Sequence, residues 1–160
     1  MVRNELKKIY MSNGAHEPLF GVATGAMKPI AKKIKIDQAL AEELYATGNY
    51  DAMYLAGIIA DSNAMTLTDY NRWMDSAYFY MLSDYVVAVT LAEADIAQEV
   101  ADQWITSEEE LKMSAGWSCY CWLLGNRADV EFTESKIASM LEIVKKYDSP
   151  CSGANEISYE

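Results

Sequence analysis

Tyr45, Trp73 and Trp104 recur 28 and 31 residues apart, each near the end of a stretch with helical apolar spacing. Repetition of a helix pair at a period of about 30 residues leaves few folds open, because each unit can bury its apolar face only against its neighbours. The expected fold class is therefore all-α: an α-solenoid of antiparallel helix pairs with about eight or nine helices. Eleven residues past the three anchors stand Ala56, Asp84 and Ala115, and fifteen past stand Ala60, Ala88 and Cys119. Asp84 thus falls in a slot that the sister repeats fill with a methyl group. A charge among small packed side chains is costly unless something is gained, which makes Asp84 the leading functional candidate.

Composition supports helix over sheet, since the 160 residues include only three prolines and eight glycines. No apolar run is long enough for a membrane span, and the N-terminus MVRNELKKIY lacks the apolar core of a secretion signal. The expected location is the cytoplasm. Three cysteines, Cys119, Cys121 and Cys151, form no disulfide framework. Cys119 and Cys121 lie about 200° apart on a helix, and His16 is the only histidine. No metal and no cofactor is therefore expected, and Cys119 is expected in the core. One histidine and no glycine-rich phosphate loop also remove most hydrolase, kinase and dinucleotide readings.

Along the chain, residues 2–11 have helical spacing, and a loop follows through His16, Pro18 and Gly21. A short helix is expected over 26–34, with Pro29 in its first turn. Asp37 is a good N-cap for the next helix, which Gly48 closes, and Tyr50 to Ala60 is its partner. The following pairs are 68–76 with 78–92, capped by Thr68, and 94–106 with 107–124. Ser107 followed by Glu108, Glu109 and Glu110 has the pattern of a helix start with a capping box. Thr133 opens a last helix through Tyr147, with Ile137, Met140, Leu141 and Val144 on one face. Residues 1–147 are expected to form one helical-repeat domain, and the polar tail 148–160 a loop or disordered segment. Ending the repeats on an unpartnered helix leaves apolar surface for self-association or a protein partner.

The net charge of −11 is unevenly spread. Residues 1–36 hold seven Lys/Arg against Glu5 and Glu17, and the remaining 124 hold six against 22 acidic side chains, which gives +5 and −16. A basic segment on an acidic body leaves room for a local phosphate contact through Lys28, Lys32 and Lys33; a solvated lysine face is the alternative. At Asp84 the surroundings are aromatic. Tyr80 is one helical turn earlier, and Tyr78, Phe79, Trp73 and Tyr85 are near in sequence. Rings beside a carboxylate suit a flat or cationic ligand such as an alkylated purine nucleoside, whose glycosidic bond breaks through an oxocarbenium-like state. The competing reading is that Asp84 caps or pairs locally while the rings form core.

The segments FGVATGAMKPIAKKIK (20–35), NYDAMYLAGIIAD (49–61), YFYMLSDYV (78–86) and ADQWITSEEELKMSA (101–115), in this order and spacing, resemble the bacterial DNA alkylation repair enzymes of the HEAT-like-repeat class, the alkylpurine DNA glycosylases. The resemblance implies a curved stack of helix pairs whose concave basic face grips duplex DNA. It further implies that an aspartate and aromatic residues meet the exposed lesion without flipping the nucleotide into a pocket. Under it the family aspartate falls on Asp84, with Tyr80 where the family has tryptophan. The W-x-x-S element falls on Trp104 and Ser107, and the following arginine pair on Lys112 and Met113. Another family arginine falls on Met53, and a further active-site tryptophan would lie beyond Tyr147. The implied site is Asp84 for catalysis, Tyr80, Trp73 and Trp104 for substrate, and Lys112, Lys28, Lys32 and Lys33 for phosphate, with alkylated duplex DNA as partner. The alternative is a non-catalytic helical-repeat scaffold for protein or nucleic-acid partners, favoured by the acidic majority and the replaced arginines.

Overall fold

The computed structural model describes residues 4–147, so the first residues of the N-terminal stretch, Cys151 and the 148–160 tail lie outside the described residues. All regular elements within that span are helical: α1 (Asn4–Ser12), α2 (Thr24–Ile34), α3 (Gln38–Ala46), α4 (Tyr50–Ile59), α5 (Leu67–Ser76), α6 (Tyr80–Leu82), a π turn (Ser83–Val87), α7 (Ala88–Ala92), α8 (Ala97–Trp104), α9 (Glu110–Asn126), a 3₁₀ turn (Asp129–Glu131) and α10 (Glu134–Tyr147). With α6, the π turn and α7 taken as one rod, these residues form nine helices, in line with the expected all-α repeat fold. The chain divides between Asn126 and Arg127 into two compact units.

In the first unit the repeats are tied by a ladder running through their first helices. The Tyr45 ring stacks on Trp73 with centroids 4.0 Å apart, and its hydroxyl donates to the Trp73 carbonyl at 2.8 Å. The Trp73 indole N–H donates back to Glu42 at 3.1 Å, and Arg72 reaches the same oxygen at 2.8 Å. One repeat on, the Trp104 indole N–H donates to Asn71 at 3.0 Å. The aromatic period thus marks inter-repeat struts: a large apolar body with one polar atom that must find a partner when buried. Burial raises the Tyr45 pKa, so the phenol stays protonated and keeps donating.

Several helix ends follow the expected chemistry. Asp37 caps α3 through the Leu40 N–H at 3.0 Å, Gly48 closes the turn after α3 with a left-handed φ of +66°, and Thr133 accepts from the Lys136 N–H ahead of α10. Three ends differ. The cap of α5 is Thr66 rather than Thr68, because Thr66 and Asp69 satisfy each other's backbone amides in a capping box. Helix α2 starts at Thr24, which moves Pro29 from the first turn into the interior. Ser107 accepts from the Glu109 N–H at 3.1 Å, while α9 begins only at Glu110.

The expected single helix over 78–92 begins at Tyr80 and contains the π turn, in which the Ala88 N–H donates to the Ser83 carbonyl. The buried positions around it also shift the repeat register. Ser83, Val87 and Leu91 are fully buried, as are Ala115, Cys119 and Leu123, 32 residues on. Ser83, rather than Asp84, therefore matches Ala115. The connections after Trp73 and Trp104 differ, so counting from the anchors slips by one residue.

Helices α8 and α9 cross at Gly116, where an added Cβ would lie 2.8 Å from the Ile105 backbone nitrogen. The Tyr120 hydroxyl on α9 donates to Asp102 on α8. In the second unit, Leu141, Val144 and Tyr147 on α10 are more than two-fifths exposed.

Gly116→Ala should lower stability by about 1–2 kcal/mol, since overpacking against backbone outweighs the roughly 1 kcal/mol gained in helix propensity. Gly125→Ala, which meets nothing within 4 Å, should raise it by about 0.5–1 kcal/mol. Urea denaturation of the two variants checks both signs.

Candidate functional site

Among the described residues the buried carboxylate is Asp51, at the start of α4. It is 6% exposed and accepts the backbone N–H groups of Phe20, Gly21 and Val22. Three convergent amides on one anion stabilise a charge that burial alone would forbid. Those amides belong to the loop that feeds α2, so Asp51 fixes where α2 starts relative to α4. Sequence reasoning missed this role, although a carboxylate in the first turn of an otherwise apolar helix, capped by Asn49, was the available signal.

Helix α2 carries the basic residues outward. Lys28 and Lys32, one turn apart on α2, and Lys35, the residue that caps its C-terminal end with a φ of +67°, line a shallow trough of about 350 Å³ with Ala31, Ile36 and Ile58. Lys33 is exposed to one side of it. None of the four has an acidic partner among the described residues. Lys35 is absent from the expected phosphate set; the left-handed turn that ends α2, rather than helical spacing, brings it to the trough. Lys112 stands apart on α9, 3.8 Å from Asp75 and 4.0 Å from Glu109, which offset its charge.

Asp84 is half-buried on the π turn. Its two oxygens accept the hydroxyl protons of Ser83 and of Ser114 on α9, each at 2.8 Å. The sequence places Tyr80 one α-helical turn before it, but the π turn puts Tyr85, five residues on, against Tyr80 with ring centroids 6.4 Å apart. Tyr80 and Tyr85 are 41% and 52% exposed. Asp84 is turned toward α9 while the two rings face solvent beside it. Trp73 and Trp104, by contrast, are at most 1% exposed and have their indole N–H groups committed to Glu42 and Asn71. Met53, where the resemblance implies an arginine, is also buried.

A second, smaller groove of about 120 Å³ lies between α4 and the rod from the π turn into α7. Tyr54, Gly57 and Ile58 line one side and Tyr85, Val86, Val89 and Thr90 the other. Ile58 belongs to both grooves, so the lysine trough and the tyrosine groove adjoin. Glu42, at the ladder, is opposed by burial, yet hydrogen bonds from Arg72, Trp73 and Gln38 hold its carboxyl below the usual carboxylate range. It remains a charged strut rather than a proton carrier.

Helix pairs locked by indole struts, with a half-buried carboxylate on a π turn and a cationic edge, define a helical-repeat protein of the HEAT-like class. Residues 3–147 match the model of the DNA alkylation repair enzyme family, and the chain belongs to that family. It is 75% identical to a solved structure that covers 91% of it with a TM-score of 0.88, described as representing a new family of proteins related to the HEAT-like repeat DNA glycosylases with affinity for branched DNA structures. It is also 28% identical over 130 residues to the uncharacterized protein Lin0241 of Listeria innocua and 27% identical to the uncharacterized protein Lmo0209 of Listeria monocytogenes, each over 78% of this chain. The chain spans 58% of the length of those two relatives and 62% of the solved neighbour. No helix among the described residues is long and apolar enough to cross a membrane.

Asp51→Ala should cost about 3 kcal/mol or more in urea denaturation, because it orphans three amides at once. Asp51→Asn, which keeps one acceptor oxygen, should cost less.

Proposed function

We propose that the protein binds DNA through its phosphates, using the lysine face of α2, and that branched structures are its preferred form of DNA. The carrying observation is the row of Lys28, Lys32 and Lys35 with no acidic partner among the described residues. On a chain of net charge −11, uncompensated cations side by side are unfavourable for folding and favourable for a polyanion. Similarity to a protein with affinity for branched DNA supports the choice of partner. The acidic remainder of the surface repels the duplex elsewhere, which confines contact to this edge.

The double variant Lys28→Ala/Lys32→Ala should weaken binding to a branched DNA probe and reduce the slope of log affinity against log salt by about 2, roughly 0.9 per lost phosphate contact. Fluorescence anisotropy across a salt series measures it. An unchanged slope would remove the phosphate contact and favour the scaffold reading.

Excision of alkylated purines is a second reading, supported by the half-buried Asp84 beside the exposed ring of Tyr80. Asp84 would stabilise the positive charge that develops on the sugar as the glycosidic bond breaks, with lone pairs left beyond those that meet Ser83 and Ser114. Tyr80 would pack against the lesion. Release of a methylated purine base by wild type, slowed about a hundredfold or more in Asp84→Asn, is the expected result. Background rates for both proteins would dismiss it.

A further inference from the structure

The groove between Tyr54 and Tyr85 lies outside the phosphate contact and outside Asp84, and its construction is specific. Its floor is Gly57, Val86 and Thr90, and a Cβ on Gly57 would come within 2.6 Å of Val86 Cγ1. Helix α4 and the π turn therefore pack closely, and the Thr90 hydroxyl is taken up by the Val86 carbonyl at 2.9 Å. Nothing polar on the floor awaits a partner. The walls are tyrosines held from behind: Tyr54 meets Tyr50 edge-on at 6.1 Å, and Tyr85 meets Tyr80 edge-on at 6.4 Å. Tyr85 still exposes half its surface. Tyr80 on α6 and Tyr85 on the π turn are five residues apart, the repeat of the wider winding that begins at Ser83.

We propose that this groove is a stacking site for one unpaired base of DNA whose backbone lies along Lys28, Lys32 and Lys35. The proposal rests on the DNA-binding reading above and names the structural element of the DNA that is recognised. Rings adjoining a row of cations match the chemistry of a single strand, in which each phosphate is followed by an exposed π face. A continuous duplex offers its phosphates but keeps its base faces stacked internally, so it can use the lysines and not the tyrosines. At about 120 Å³ the groove is well below the roughly 300 Å³ of a small-molecule pocket. A base therefore lies against the rings instead of being enclosed, and a branch point, where bases are already unpaired, supplies it without the cost of extrusion.

The test compares a continuous duplex with a branched probe carrying a short single-stranded flap that contains 2-aminopurine, bound by the full chain. Tyr85→Ala should weaken binding to the branched probe about tenfold and leave the continuous duplex unchanged. Tyr85→Phe, which keeps the ring, should behave as wild type. Quenching of 2-aminopurine on binding should be lost in the alanine variant, and an abasic flap should erase its defect. Wild-type affinity for the branched probe in Tyr85→Ala, or an equal loss on both probes, would overturn the stacking site. If Lys28→Ala/Lys32→Ala still weakens both probes in that case, the phosphate contact survives and only the stacking site falls. If the lysine variant changes neither probe, the DNA-binding reading fails and the stacking site with it.

Discussion

The Asp51 carboxylate governs the geometry on which the functional face depends. An anion in the wall of α4 collects three consecutive backbone amides from the segment ahead of α2, and that knot sets the path of the chain into the lysine helix. Ala31 of α2 and Ile58 of α4 line the same trough. A buried ion satisfied by fixed dipoles is strongly directional. It holds a basic helix against an acidic body where general apolar packing would leave its rotation less well defined. The positive edge is thus organised from inside by a negative charge.

The same division between hidden and displayed polarity runs through the repeats. Glu42 and Asn71 sit where the next repeat's indole needs an acceptor, while Asp84 is gripped by two hydroxyls and left half open. Trp73 and Trp104 are wholly internal, whereas Tyr80 and Tyr85 meet solvent side by side at the π turn. Changing the winding of one short segment moves aromatic surface outward without opening the core.

The period of Tyr45, Trp73 and Trp104 was enough to specify helix pairs and their order, because strut residues recur wherever repeats must touch. The caps at Asp37 and Thr133 were equally legible, since a short polar side chain ahead of an apolar run has few other uses. What escaped was anything that depends on winding or on distant partners. The unequal connections after Trp73 and Trp104 leave no sign in hydrophobic spacing, so counting from the anchors puts Asp84 in the buried slot that Ser83 fills, and the equally silent π turn hides the pairing of Tyr80 with Tyr85. The tryptophans stood out by residue type, which does not distinguish a strut from a binding platform. Asp51 contacts amides about thirty residues earlier, a pairing that no local pattern encodes. The trough was half visible: Lys28 and Lys32 were singled out, but Lys35 and Ile58 joined them only once α2 and α4 were set side by side.

The indole struts also make the repeats unequal. Trp73 reaches back to a carboxylate that Arg72 shares, whereas Trp104 reaches back to the neutral amide of Asn71. Exchanging the two modules would bring an indole to the wrong acceptor and strand a guanidinium or a carboxylate without its counterpart. Each junction is keyed to its own neighbours, so the units cannot be shuffled like identical beads. Lengthening or reordering such an array would require a matched donor and acceptor at every new seam.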